Sequence, residues 1–223
     1  WTFELLVRWL ATGVVRVTSL EHIAAMSDDA DAVALTFDDA FESVATIAAP
    51  LLRDHGLTAT VFAVTDHVGA TNAWGGRSWP GIPVMSLLDW GSLAGLVEGG
   101  LTLGAHSRTH PDLTAIDPGQ ARDEIAGSVE RLHHETGVRP SCFAYPYGRA
   151  NSAIAEITAS VCDQAYTAEL RPLGSTDSRF LLPRLDAYYF QAGGRLESWG
   201  RARWHAYVQC RSLFRHLRQA VTQ

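Results

Sequence analysis

The chain has 223 residues, of which 47% are hydrophobic and 19% charged, and a formal charge of −6. That length suits one domain with a full core. The composition excludes disordered and collagen-like chains, and the acidic balance carries no nucleic-acid footprint. Cys142, Cys162 and Cys210 are an odd number with no C-x-x-C pair, which argues against a disulfide framework. No apolar run is long enough to cross a bilayer, and no signal-peptide pattern shows. The expected location is therefore cytoplasmic, although a chain that opens on Trp1 rather than methionine leaves export open.

Along the chain, short β-rich apolar runs alternate with longer helical patterns. Residues 32–37 read as a buried strand ending at Asp38-Asp39, followed by a helix from Ile47 to His55 closing at Gly56. Residues 58–64 form the next strand. After it comes a Gly-, Trp- and Pro-rich stretch, 66–84, expected to be a long surface loop. Ser86 is placed to cap a helix running to Glu98, which stops at Gly99-Gly100. Residues 101–105 are a third strand ending at His106. Pro118 to Glu135 is a helix with Gly137 after it, residues 141–145 are a fourth strand, and Asn151 caps another helix. Residues 164–168 and 180–185 read as further strands. This alternation implies an α/β fold with a parallel sheet, open or closed into a barrel. In either form chemistry gathers at the C-terminal ends of the strands, and Asp38-Asp39, His106 and Tyr145-Pro146-Tyr147 all follow strands directly.

His106 and His110, four residues apart, can face one side of a helical turn and bind one metal. The same spacing also occurs in solvated or core histidines. An acidic pair such as Asp38-Asp39 can merely cap a following helix. Adjacent residues leaving a strand point in opposite directions, however, so one carboxylate can hold a metal while its neighbour faces a substrate. Two histidines and one carboxylate make a site with positions left for water and substrate, and a second carboxylate can accept the water's proton.

Thr36-Phe37-Asp38-Asp39, His106-Ser107-Arg108-Thr109-His110 and Phe143-Ala144-Tyr145-Pro146-Tyr147-Gly148, in that order, resemble the first three motifs of the polysaccharide deacetylases (the NodB-homology domain, carbohydrate esterase family 4). The resemblance spans roughly residues 14–190. It implies a distorted (β/α) barrel, usually of seven strands, and one deacetylase domain over 1–223. It also implies metal-dependent hydrolysis of N-acetyl or O-acetyl groups on a polysaccharide or glycan precursor. Asp38 would be the general base. Asp39, His106 and His110 would hold Zn²⁺ or another divalent ion such as Co²⁺, Mn²⁺ or Ni²⁺. The backbone N–H near Tyr147 would help hold the oxyanion, and Tyr145, Pro146 and Tyr147 would wall a groove. Ser107 and Thr109 would support the ligands at most.

The sequence also departs from the family pattern. Ala40 follows Asp38-Asp39 where glycine is usual, and Ala144 stands where an arginine often pairs with the base. Arg184, at the rim end of another expected strand, is placed to replace that arginine by bonding Asp38. The late Leu-x-x-His motif that supplies a general acid has no clear match, and His205 and His216 read as surface residues. Trp74 and Trp79, in the loop beside the expected metal, are candidates for stacking on sugar rings, with Asn72 and Arg77 to bond hydroxyls. From about 198 to 220 a basic amphipathic helix carries Arg201, Arg203, Arg211, Arg215 and Arg218 among Tyr207, Phe214, Leu217 and Val221. It can pack on the barrel or lie on an anionic membrane surface. Two other functional readings stay open: an amidohydrolase acting on a smaller acylated compound, and a catalytically impaired carbohydrate-binding homologue.

Overall fold

The computed structural model describes residues 3–26, 31–76 and 81–221. Trp79, Arg77 and the side chains of His216, Arg218 and Val221 lie outside the described residues. Five parallel strands form a curled half-barrel sheet in sequential order: β3 (Thr36–Phe37), β4 (Thr60–Ala63), β5 (Thr102–Ala105), β6 (Cys142–Ala144) and β7 (Gln164–Tyr166). Two short strands, β1 (Arg16–Val17) and β2 (Ala32–Val33), pair separately and bring the described strands to seven. The α/β barrel-type fold expected from the motifs is thus present.

Among the described residues seven α-helices accompany the strands: α1 (Phe3–Ala11), α2 (Leu20–Ile23), α3 (Ala49–Asp54), α4 (Trp90–Glu98), α5 (Pro118–Thr136), α6 (Ser152–Ala159) and α7 (Ala202–Val221). Helices cover the sheet because its strands are apolar on both faces: every residue of β4, β6 and β7 is buried. The barrel interior is filled from the strands themselves. Phe62 is fully buried and lies over Gly104, where a Cβ would stand 2.3 Å from its ring. Only glycine at 104 lets β4 and β5 carry an aromatic ring between them.

The local signals decide several boundaries. Asp117 caps α5 by accepting from Gly119 and Gln120, and Gly137 ends the helix in the left-handed conformation (φ 72°). Asn151 caps α6 through Ile154 N–H.

Four expectations need correction. The strand expected over 32–37 is split, because residues up to Val33 pair with β1 while Thr36 and Phe37 pair with β4, so the chain changes partners between them. The helix expected from Ile47 begins as a π-helical turn, Val44–Ala48, and becomes α-helical only at Ala49. Pro50 has no N–H to donate, and that breaks the regular ladder at this point. Asp89, not Ser86, caps α4 by accepting from Ser92 at 2.7 Å, while Ser86 pairs with Thr71. Residues 180–185 form no strand and touch the sheet through one bridge, Tyr166 to Leu182.

Candidate metal centre and active site

The three motifs leave β3, β5 and β6 at one rim, and their backbones are unusual there. Among the described residues, five that are not glycine have positive φ: Asp39 (67°), Ala40 (56°), Ser107 (65°), His110 (62°) and Tyr147 (59°). All five belong to these motifs. L-residues adopt this region at a cost and persist in it where the surroundings force them, so the strain concentrates where side chains are being aimed. Ala40 holds its positive φ as a buried residue (2% exposed).

The two adjacent carboxylates part company, as a strand end allows. Asp38 turns to Arg184, whose Nη1 and Nη2 donate to Oδ1 and Oδ2 at 2.6 and 2.8 Å in a two-pronged bond. Arg184 is itself fixed by donating from Nε to Thr167 O (2.9 Å) and from Nη1 to Thr36 Oγ1 (3.3 Å). Burial pushes the Asp38 carboxyl up, but the Arg184 charge, with His106 and the Arg184 hydrogen bonds, outweighs it and brings the pKa down to about 2. Asp38 is therefore ionised at neutral pH and oriented.

Asp39 turns the other way. Its Oδ1 lies 3.5 Å from both His106 Nε2 and His110 Nε2. The three ligand atoms all lie within 4.8 Å of one another, the sole such cluster among the described residues. Asp39 Oδ1 is buried with no hydrogen-bond partner among the described residues, and burial holds its carboxyl above the usual carboxylate range. His110 is driven the opposite way, to a pKa of about 3, by burial and by the His106 charge, which leaves a neutral imidazole. An orphaned buried anion facing two imidazole nitrogens is costly unless a cation joins them. A four-coordinate ion with bonds near 2.0–2.1 Å sets its ligands about 3.4 Å apart. The residues present therefore fit a divalent metal.

The candidate ligands are held by a shell of which sequence reading named only Ser107 and Thr109. His106 Nδ1 is hydrogen-bonded to Ala144 O at 2.7 Å, so β6 fixes the ring on β5. His106 to His110 is not a helical turn but an irregular loop, closed by Ser107 Oγ accepting from His110 N–H at 3.0 Å. Glu124 on α5 clamps that loop: its Oε2 accepts from the N–H groups of Arg108 and Thr109, and its Oε1 from Thr109 Oγ1, at 2.7–2.8 Å. Arg149 donates to Asp112 at 2.6 Å and ties the third motif to the second. A glutamate within a helical pattern carries no local signal of such a role.

The candidate groove residues divide. Tyr147 is exposed (45%), with its ring edge-on to His110 at 4.7 Å. Gly148 must be glycine, because at φ 67° an added Cβ would meet the Ala168 backbone at 2.4 Å. Tyr145 and Pro146 are buried, which corrects their place in the groove wall. The hydroxyl of Tyr145 donates to Phe180 O at 2.9 Å inside the core. Trp74 lies stacked on His110, with centroids 4.5 Å apart and planes at 25°. The loop holding it is tied down: Asn72 donates to Pro83 O and accepts from Met85 N–H, and so serves the loop rather than a sugar. Trp79 lies outside the described residues.

The C-terminal helix is partly absorbed by the fold. Trp204 and Val208 are buried with Phe190 and Leu196, while Arg195 stacks over Tyr207 at 3.7 Å and Arg211 lies 5.4 Å from the Tyr189 ring. His205 is exposed and edge-on to Trp204. A membrane-surface contact finds no support, since α7 puts its first turns into packing; separately, no helix among the described residues is long and apolar enough to cross a membrane.

Comparison with known proteins agrees with this fold. Solved structures similar in fold include the Streptococcus pyogenes deacetylase PplD in complex with acetate (TM-score 0.69, 20% identity, covering 82% of this chain and 78% of that one). IcaB from Ammonifex degensii is another (TM-score 0.69, 22% identity, 93% and 88%). The Bacillus subtilis (strain 168) protein YxkH is 23% identical over 154 residues, 67% of this chain, and this chain spans 50% of YxkH's length. The family model for polysaccharide deacetylase matches residues 25–162, from before the paired carboxylates to beyond the Tyr145–Gly148 turn, and by that match the chain belongs to the polysaccharide deacetylase family.

Proposed function

We propose that the protein is a metal-dependent deacetylase that hydrolyses acetyl groups, N-linked or O-linked, from a polysaccharide or glycan precursor. The observation that carries this reading is the division of labour between neighbouring carboxylates: Asp38 is gripped by Arg184, and Asp39 faces His106 and His110. Asp39, His106 and His110 would hold the ion, Zn²⁺ or another divalent metal. A divalent cation acidifies water to a pKa of about 7 and polarises a carbonyl, which a base as weak as Asp38 requires.

The remaining work falls to the chain's own groups. Asp38, held in one orientation by the arginine fork, takes a proton from the attacking water. The backbone N–H at Tyr147, turned by its left-handed conformation, donates to the oxyanion as the acetyl carbonyl becomes tetrahedral. When the C–N bond breaks, Asp38 returns its proton to the leaving nitrogen; a carboxyl of low pKa gives it up readily to an amine. Tyr147 and Trp74 flank the ligands at the groove.

The test is acetate release from a panel of acetylated glycans, with and without chelator, for the wild type and two variants. Asp38→Asn is expected to keep metal and lose turnover by about 10²-fold or more. Asp39→Asn is expected to lose metal. Equal metal loss in both variants, or release that survives chelation, overturns the assignment.

A further inference from the structure

The two histidines of the candidate metal site are held in different ways. His106 has its second ring nitrogen bonded to a carbonyl, Ala144 O at 2.7 Å. His110 has no such bond among the described residues, where its Nδ1 is buried without a hydrogen-bond partner. A metal-binding histidine ordinarily has its other nitrogen bonded, because that bond fixes the plane in which the ligating lone pair points. His110 must be aimed by something else.

Its aromatic neighbours among the described residues are three. Trp74 covers its face at 4.5 Å and 25°, whereas His106 and Tyr147 meet it edge-on, at 5.0 Å and 69° and at 4.7 Å and 67°. An edge contact limits translation but allows the ring to rock. A face-to-face contact restrains tilt, and of the three only Trp74 supplies one. Trp74 is itself backed by His67, edge-on at 4.9 Å. The loop around it does not depend on the indole, being held by the Asn72 hydrogen bonds to Pro83 and Met85 and by the Thr71–Ser86 pairing.

We infer that Trp74 is a positioning residue for the metal site: its indole face sets the ring plane of His110 in place of the missing hydrogen bond. The role rests on the metal-site reading above and differs from stacking on a sugar, since the face in question is turned to a ligand. Hydrogen-bonded outer partners are worth about 10–100-fold in metal affinity, and the indole is assigned the same orienting task.

The experiment is a titration of metal-stripped protein with Co²⁺, followed by its visible absorption, for wild type, Trp74→Ala and Trp74→Phe, with melting temperature measured on each apoprotein. Trp74→Ala is expected to bind Co²⁺ at least about 10-fold more weakly with its apoprotein melting close to wild type, and Trp74→Phe, which keeps an aromatic face, to recover most of the affinity. Unchanged affinity in Trp74→Ala overturns the inference and leaves the metal site standing. A phenylalanine variant as weak as the alanine one also overturns it, since a flat ring at that position would then not be what matters. A wild type that binds no Co²⁺, and no Zn²⁺ in competition, overturns the metal reading and this inference together.

Discussion

At the scale of single residues, the site depends on opposite electrostatic treatments of neighbouring acids. Asp38 and Asp39 are adjacent in sequence, yet one is pulled below the ordinary carboxylate range and the other pushed above it. The strongest lowering influence on Asp38 is the Arg184 guanidinium, which arrives from a segment 146 residues beyond it. Removing it as Arg184→Met leaves burial to act, so the Asp38 pKa must rise from about 2. The acid limb of kcat/KM is then expected to move to higher pH and turnover to fall, as a pH–rate profile will show. An unmoved limb would mean that Arg184 does not tune the base. The sign carries over to stability: the Asp38–Arg184 pair contributes fully above the unfolded carboxyl's pKa near 3.9 and is lost as pH falls toward about 2.

At the scale of elements, strand ends deliver the chemistry and a helix holds it. The His106–His110 loop has two residues in left-handed backbone, a conformation it would not keep alone. Glu124 on α5 binds two of its backbone N–H groups. Glu124→Ala is expected to leave those donors to water, to lower stability by about 1 kcal/mol and to weaken metal binding, measured by thermal melting with and without Zn²⁺. A variant that loses stability while keeping wild-type metal affinity would show that the clamp serves the fold alone. The π-helical turn before α3 and the split of β2 from β3 are likewise decided between elements, through Pro50 and through a change of strand partner.

At the scale of the whole molecule, the segment after the sheet closes back on its beginning. Phe190, Leu196, Trp204 and Val208 form a buried cluster against Leu6 and Trp9 of α1, and Trp199 donates to Asp31 at 2.7 Å. Helix α1 and the first turns of α7 are thus packed together. Trp204→Ala removes the stacked partner of Phe190 and is expected to cost roughly 3–5 kcal/mol. Denaturant unfolding will measure it; a loss under about 1 kcal/mol would show that α7 is dispensable to the fold.

The sequence by itself determined the family and the parallel α/β architecture, and it named Asp38, Asp39, His106 and His110 as the candidates that the fold brings to one rim, because these rest on local order: strand periodicity, turn chemistry and motifs read in one direction. Asn151 as a cap and Gly137 as a helix stop were legible for the same reason. Tyr145 was misread because a motif does not say which of its side chains the core takes: of two tyrosines two residues apart, Tyr145 went inward and Tyr147 outward. Only the tertiary structure decided what the ligands lean on. Ala144 O beneath His106, Glu124 behind the His106–His110 loop and Trp74 over His110 are contacts between segments 15 to 38 residues apart. Nothing local distinguishes such a carbonyl, glutamate or indole from any other, since its role comes into being only when the sheet curls and brings the strand ends to one rim.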